Sequence, residues 1–330
     1  MQQPLFIHGL GHFHPDSVID NAFLESLDIG TSERWVMERV GIRRRRTVLD
    51  PGYIRATRNT DASKSAQASA FDNAQTGARA ARMALERAGL TPADIGLVIA
   101  GGCSPQYMIP AEACRIAAEL GISAPAFDIN SACSSFAVQL HFLRSMGAAA
   151  APRFALVINA ENSTRTVNYN DRSTAVLWGD ATSAAVVSLT ESAPMRAVFS
   201  MVQSDPAGWD KVMIPPGGHF TQSGSAVQMF AVKKSLETLY ALREHASVGP
   251  DRLYFVGHQA NLRMLESVCA RAEIPADRHL FNVDEYGNCG AAGAPSVLSQ
   301  HWSRFGAGDE IALVVVGSGL TWGGLLLRVE

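Results

Sequence analysis

Displacing the sequence against itself by 155 positions lays Ile99–Cys103 over Tyr254–His258, Cys114 over Cys269 and Cys133 over Asn288. The register holds without a gap, and each pair falls at the same point of a strand–loop–helix–strand–helix unit. The chain therefore reads as two halves of similar fold. Two halves related by a pseudo-twofold axis bring equivalent loops together, so Cys133, His258 and Asn288 can converge on one site. The halves are set at residues 1–190, carrying Cys133, and 191–330, carrying His258 and Asn288.

Within each half, short β-branched runs alternate with alanine-rich segments. Gly96–Ala100, Phe154–Asn159, Ala184–Leu189, Leu253–Val256 and Ile311–Val316 read as strands covered on both faces, because their apolar character is continuous. Thr76–Ala88, Ala111–Leu120, Ser134–Met146, Leu262–Ala272 and Ala291–Gln300 read as helices, which gives an α/β architecture. Gly89-Leu90-Thr91-Pro92 stops one helix and starts another. Leu49–Ala70 is polar and mixed, and is expected to be a mobile surface loop or an irregular insertion.

Composition narrows the function. A net charge of -3, from 28 basic and 31 acidic residues, argues against a general nucleic-acid binder. Apolar residues at 47% and charged residues at 18% suit a protein with a substantial core. The five cysteines are odd in number and never spaced C-x-x-C, which fits free thiols in a reducing cytoplasm better than disulfides or a metal site. Met1–Leu10 has no basic start and no long apolar run, and no stretch approaches the roughly 20 apolar residues of a membrane helix. A cytoplasmic protein with no membrane partner is expected.

Three segments carry chemistry. Asp128-Ile129-Asn130-Ser131-Ala132-Cys133-Ser134-Ser135-Phe136 runs from a strand end into a helix. A thiol at a helix start meets unpaired N–H groups and the positive end of the dipole, which can lower its pKa from about 8.5 to roughly 3.5–7.5. Such a thiolate can accept an acyl group from a thioester; a buried, inert cysteine is the alternative. Val256-Gly257-His258-Gln259-Ala260-Asn261-Leu262-Arg263 places His258 between a strand and a helix, where alone it would be structural. Asn288, in Tyr286-Gly287-Asn288-Cys289-Gly290, would alone be a turn or an N-cap.

The whole chain resembles the β-ketoacyl-acyl-carrier-protein synthase III-type condensing enzymes. The matching stretches are Thr31-Ser32-Glu33-Arg34-Trp35 with Gly41-Ile42-Arg43, Ser131-Ala132-Cys133, and Leu177-Trp178-Gly179-Asp180. His258-Gln259-Ala260-Asn261-Leu262-Arg263, Tyr286-Gly287-Asn288 and Gly317-Ser318-Gly319-Leu320-Thr321-Trp322-Gly323 complete the set. The resemblance implies a thiolase fold, a duplicated five-layered αβαβα unit, usually as a homodimer. It implies that Cys133 carries the acyl group, with an oxyanion hole from the N–H groups of Cys133 and Ser318. His258 and Asn288 would hydrogen-bond the thioester carbonyl of a malonyl-type extender. Trp35 and Arg39 would hold the nucleotide of coenzyme A, Phe136 and Ile109 would shape the acyl pocket (Ile109 from the partner subunit), and Arg263 would dock the carrier protein. Arg43–Arg46 is expected to be solvated or ion-paired. The substrates would be an acyl-CoA or acyl-carrier-protein primer and a malonyl-type carrier thioester. No metal and no cofactor beyond these thioesters is expected.

The chain also departs from the family pattern. Cys289-Gly290 follow Asn288 in place of the usual Thr-Ser, Ala181-Thr182-Ser183 replace a glycine-rich string, and Gly317-Ser318-Gly319 replaces three glycines. Leu49–Ala70 adds length. These changes point to a primer longer than acetyl and a specialised product. Acyl transfer or non-decarboxylative condensation on the same fold is the second reading, and an inactive partner subunit the third.

Overall fold

The computed structural model describes residues 3–330, and of Ala148 only the backbone. Met1 and Gln2, the first residues of the N-terminal half and of the segment read for a leader, lie outside the described residues. Among the described residues, nine strands are hydrogen-bonded in one series: β1 (Leu5–Phe13), β2 (Leu97–Gly101), β3 (Ala126–Asp128), β4 (Ala155–Glu161), β5 (Ala181–Ser188), β6 (Met195–Ser204), β7 (Leu253–Val256), β8 (Glu310–Gly317) and β9 (Thr321–Val329). Their order is β7-β8-β9-β6-β1-β5-β4-β2-β3. The series is joined at its middle by the short antiparallel contact of β1 with β6, from Leu5 opposite Ala197 to Ile7 opposite Met195.

Reading outward from that seam, the two halves repeat one another. β1 is followed by antiparallel β5, antiparallel β4 and parallel β2. β6 is followed by antiparallel β9, antiparallel β8 and parallel β7. At the outer edge β3 lies parallel to β2, and the single bridge Phe255–His279 takes the corresponding place beside β7.

Strand periodicity sorts the apolar side chains into layers. Val157 of β4 faces the central core while Leu156 and Ile158 face an outer one; Leu313 and Val315 of β8 face the central core while Ala312, Val314 and Val316 face the opposite outer one. Helix α1 (Asn73–Ala88) packs on β1, β5 and β4, and α2 (Glu112–Leu120) on β2 and β3. Helices α3 (Ser135–Arg144) and α6 (Gly293–Gln300) each touch strands of both halves, so they form the middle layer. Helix α4 (Gly224–Arg243) covers β8, β9 and β6, with α5 (Leu262–Ala272) alongside. The five layers are helix, sheet, helix, sheet, helix. No helix among the described residues is long and apolar enough to cross a membrane.

Two expectations change. Helix α1 starts three residues before Thr76, because Asp72 and Gln75 form a reciprocal cap. Leu49–Ala70 is not an irregular loop. Asp50 caps a helix over Pro51–Thr57, Asp61 caps a 3-10 segment over Ala62–Ala68, and Leu49 bridges Ser69 to close the excursion at its base. Buried Asn59 ties it down, its Nδ2 donating to Arg165 O and Val167 O, both at 2.9 Å.

Candidate active site

Cys133 owes its place to a short strand and a strained turn. After β3, Ile129 N–H donates to Ala100 O at 2.8 Å, keeping the chain beside β2. Ala132 then takes φ 46°, a left-handed conformation that costs about 1–2 kcal/mol for a residue with a Cβ. Asn130 Oδ1 holds it by accepting from Ala132 N–H at 2.8 Å, and the 3-10 turn Ala132–Ser134 runs directly into α3. A Cβ on Gly317 would lie 2.8 Å from Ser134 N, so the loop Gly317-Ser318-Gly319 reaches this elbow only because Gly317 has no side chain.

His258 leaves the end of β7 two residues past Val256 and is buried. Asn288 is fixed by the Leu177–Asp180 stretch: its N–H donates to Leu177 O at 2.8 Å, and Gly179 N–H donates to its carbonyl at 3.1 Å. Asp180 anchors that stretch, accepting from Val48 N–H at 2.7 Å and Thr164 N–H at 2.8 Å; burial raises its carboxyl pKa to about 6. Asn288 Oδ1 accepts from Gly290 N–H at 3.0 Å, so the amide NH2 is the group left to face a substrate.

Cys133, His258 and Asn288 line one cleft of about 190 Å³, together with Arg39, Trp178 and Ser318. A second cavity of about 130 Å³ adjoins it, sharing Cys133, Trp178 and Ser318 and reaching past Cys103 and Ile214. A third, of about 310 Å³, shares Cys103 and Ile214 with the second and ends among Ala62–Ala66, Tyr107, Met108 and Pro215–Gly218. Cys133 thus stands where the cleft meets a run of further cavities.

Two residues that no motif pointed to stand around Cys133. Cys103 Sγ lies 3.4 Å from Cys133 Sγ. Glu161, fully buried at the end of β4, accepts from Cys103 N–H at 2.9 Å and Ala291 N–H at 2.8 Å. The Cys133 thiol pKa is lowered, first by the Cys103 thiol beside it and then by His258, against the opposing effect of burial. Cys103 is pushed up by its contact with Cys133 and by burial. Burial and the neighbouring Cys133 raise Glu161 to about 7. The signal for Cys103 was present in the repeat, since the 155-residue shift lays it over His258. Glu161 gave only one sign, an acid closing a run that is apolar but for Asn159.

The remaining candidates fall in different places. Arg39 lines the cleft. Trp35 packs between two guanidiniums, Arg39 at 5.5 Å and Arg172 at 4.9 Å from its ring centre. Arg263 is held at the surface by donating to Met37 O at 2.8 Å and by an ion pair with Glu266 at 2.8 Å. Arg43 and Arg44 pair with Asp284 and Glu285, Arg45 is buried against Val176 O, and Arg46 lies over Tyr286. Phe136 does not reach the cavities: α3 turns it into the core between the sheets, where it is fully buried. Ile109 is 84% exposed, beside exposed Tyr107 and Met108, and lines none of the three cavities. Cys289 and Gly290 do not enlarge them either. Cys289 is buried against Ala181 and Ala292, and the space at Gly290 is taken by Glu161, whose Oε1 lies 2.5 Å from where a Cβ would stand.

Comparison with known proteins agrees with this architecture. Residues 127–206 match the family described as 3-oxoacyl-acyl-carrier-protein synthase III, and residues 244–329 match its C-terminal counterpart. The chain is 33% identical to β-ketoacyl-acyl-carrier-protein synthase III of Sphingopyxis alaskensis over 100% of both chains, and 34% identical to that of Roseiflexus sp. (strain RS-1) over 97% of both. The crystal structure of 3-oxoacyl-acyl-carrier-protein synthase III from Aquifex aeolicus VF5 superposes with a TM-score of 0.85 at 29% identity, covering 98% of this chain and 99% of that one. The priming β-ketosynthase of the R1128 polyketide pathway superposes with a TM-score of 0.82 at 25% identity, covering 100% and 97%. The duplicated five-layered fold and these relatives define a condensing enzyme of the thiolase fold. The chain belongs to the β-ketoacyl-acyl-carrier-protein synthase III family.

Proposed function

We propose that the chain transfers an acyl group from a thioester primer to Cys133 and condenses it, with loss of carbon dioxide, with a malonyl-type thioester on an acyl carrier protein. The observation that carries this reading is the meeting of Cys133, His258 and Asn288 at one cleft. The Cys133 thiolate attacks the primer carbonyl, the N–H groups of Cys133 and Ser318 receive the oxyanion, and the thiol of the carrier or of coenzyme A leaves. His258 and the Asn288 NH2 then donate to the extender's thioester carbonyl. Carbon dioxide departs, the resulting enolate attacks the acyl carbonyl, and the Cys133 thiolate is released. Neutral donors suit this step because negative charge grows on the carbonyl oxygen only as the carboxylate is lost.

The acyl group of the primer occupies the cavities beyond Cys133, and it is longer than acetyl. Support comes from the second cavity and its continuation past Cys103 and Ile214, with each buried methylene adding about 0.8 kcal/mol. The cleft side, with Arg39, receives coenzyme A or the carrier's phosphopantetheine, the Trp35 ring standing behind Arg39 and outside the cleft lining, and Arg263 meets the acidic carrier. The working unit is a cytoplasmic homodimer, and the chemistry calls on no group beyond the two thioesters.

Intact-mass measurement after exposure to competing acetyl-CoA and medium-chain acyl-CoA tests the reading. The expected result is a medium-chain adduct on Cys133 that is absent from Cys133→Ala. An adduct surviving in Cys133→Ala would refute the nucleophile, and strong preference for acetyl would refute the longer primer.

A further inference from the structure

Condensation through Cys133, His258 and Asn288 leaves Cys103 without a task, although its sulfur touches that of the proposed nucleophile at 3.4 Å. Both thiols line the same 130 Å³ cavity, so a small oxidant that reaches one reaches the other. Glu161 stands with them. The point where a Cβ on Gly290 would sit is 2.5 Å from Glu161 Oε1 and 3.2 Å from Cys103 Sγ. Cys103 itself follows β2 in a loop and is only half-buried.

We propose that Cys103 is a resolving thiol: when a peroxide oxidises Cys133, Cys103 closes a reversible disulfide with it, shutting the site before irreversible damage. The Cys133 thiolate attacks a peroxide oxygen, so that a sulfur–oxygen bond forms and the oxygen–oxygen bond breaks. Sulfur is oxidised to the sulfenic acid and the peroxide is reduced to hydroxide, which is protonated to water. Cys103 sulfur then attacks the sulfenic sulfur. The disulfide forms, the sulfur–oxygen bond breaks, and the departing hydroxide leaves as water with the Cys103 proton, passed through the Glu161 carboxylate. A dithiol reverses the change by exchange, becoming oxidised as both cysteines regain their protons. Without a resolving thiol, sulfenic acid goes on to the sulfinic state, which a dithiol does not repair. The sulfurs must close by about 1.4 Å to reach bonding distance, which side-chain rotation in a loop residue can supply.

This inference rests on Cys133 being the reactive thiol, and the experiment separates the two ideas. Reduced full-length protein is treated with hydrogen peroxide, mapped by non-reducing peptide mass spectrometry, and assayed before and after dithiothreitol. The expected result is a Cys103–Cys133 link in the wild type and loss of activity that dithiothreitol reverses. Cys103→Ser and Cys103→Ala should instead accumulate sulfinic Cys133. The fraction of their own starting activity that they recover should be at least about fivefold smaller than the wild type's. Sulfinic Cys133 without any link in the wild type, or equal recovery in the variants, would overturn the proposal. A reversible link that leaves turnover unchanged would uphold the pair and defeat the assignment of Cys133 as nucleophile. Folding of each variant is read separately by circular dichroism and thermal melting, and with two different replacements at 103 the test does not depend on one of them being tolerated.

Discussion

Glu161 holds a carboxyl with no water-facing surface, and its pKa rises from 4.5 to about 7, mainly through burial. Between those values the folded protein keeps a proton that the unfolded chain has released. Stability from this group is therefore complete below about pH 4.5, falls as the pH climbs, and levels off above about 7. Glu161→Gln deletes that titration. Its stability relative to wild type should rise by on the order of 1–3 kcal/mol between about pH 5 and about pH 8, as read by urea denaturation at each pH. A difference that stays constant would mean the carboxyl does not titrate there. His258 and Asn288 are proposed to act on substrate, which Glu161 is not. His258→Ala and Asn288→Ala should leave acylation of Cys133 largely intact while slowing malonyl decarboxylation by about 10²–10³-fold each. Stopped-flow or quenched half-reactions distinguish the two steps, and an equal, complete loss of acylation would make both residues activators of the thiol.

At the scale of elements, the boundaries follow local chemistry. Asp72 caps α1 by accepting from Gln75 N–H at 2.9 Å, Gln75 returns a bond to Asp72 N–H at 3.0 Å, and Arg115 of α2 adds an ion pair at 2.7 Å. Asp72→Ala should cost about 1–2 kcal/mol, seen as a lower urea midpoint with an unchanged slope. No loss would mean that the cap is replaced by water. The buried strands β2, β4, β5, β7 and β8 were legible because their apolar runs are continuous. β1, β6 and β9 were not, for different reasons: β1 is broken by Gly9 and Gly11, β6 alternates with half-exposed positions such as Arg196, and β9 opens on Thr321 and two glycines. Leu49–Ala70 misled because caps and short turns built from Asp, Asn and Ser have the same composition as an unstructured loop.

For the whole molecule, the repeat made the meeting of Cys133, His258 and Asn288 legible at the level of loops, but its 155-residue register slips by three at the elbow. The 3-10 turns Ala132–Ser134 and Gly290–Ala292 correspond, so Cys133 matches Ala291, and Asn288 matches Asn130, the Oδ1 of each accepting from the N–H two residues on. The repeat did not reveal Phe136's direction, which depends on α3 lying between two sheets, nor that Gly290 makes room for Glu161. Exposed Tyr107, Met108 and Ile109 form an apolar tip that an isolated chain leaves in water. Light scattering at micromolar concentration should give a dimer, and Ile109→Asp should shift it toward monomer with loss of acylation by medium-chain primers. A fully active monomer would count against the homodimer.

The pairing of stations across the seam has one more consequence. In a symmetric dimer of separate half-length chains, a residue at one station is necessarily repeated at its mate. Joining the halves covalently removes that constraint, and here the stations at the site have diverged while Cys114 and Cys269 have not: thiol stands opposite imidazole at 103 and 258, and Cys133 opposite Ala291 in the matching 3-10 turns that open α3 and α6. One symmetric crevice thereby becomes a directional one, with sulfur supplied by the first half and an imidazole and a carboxamide by the second. A single chain can thus bring different chemistry from each of its halves to the same cavity.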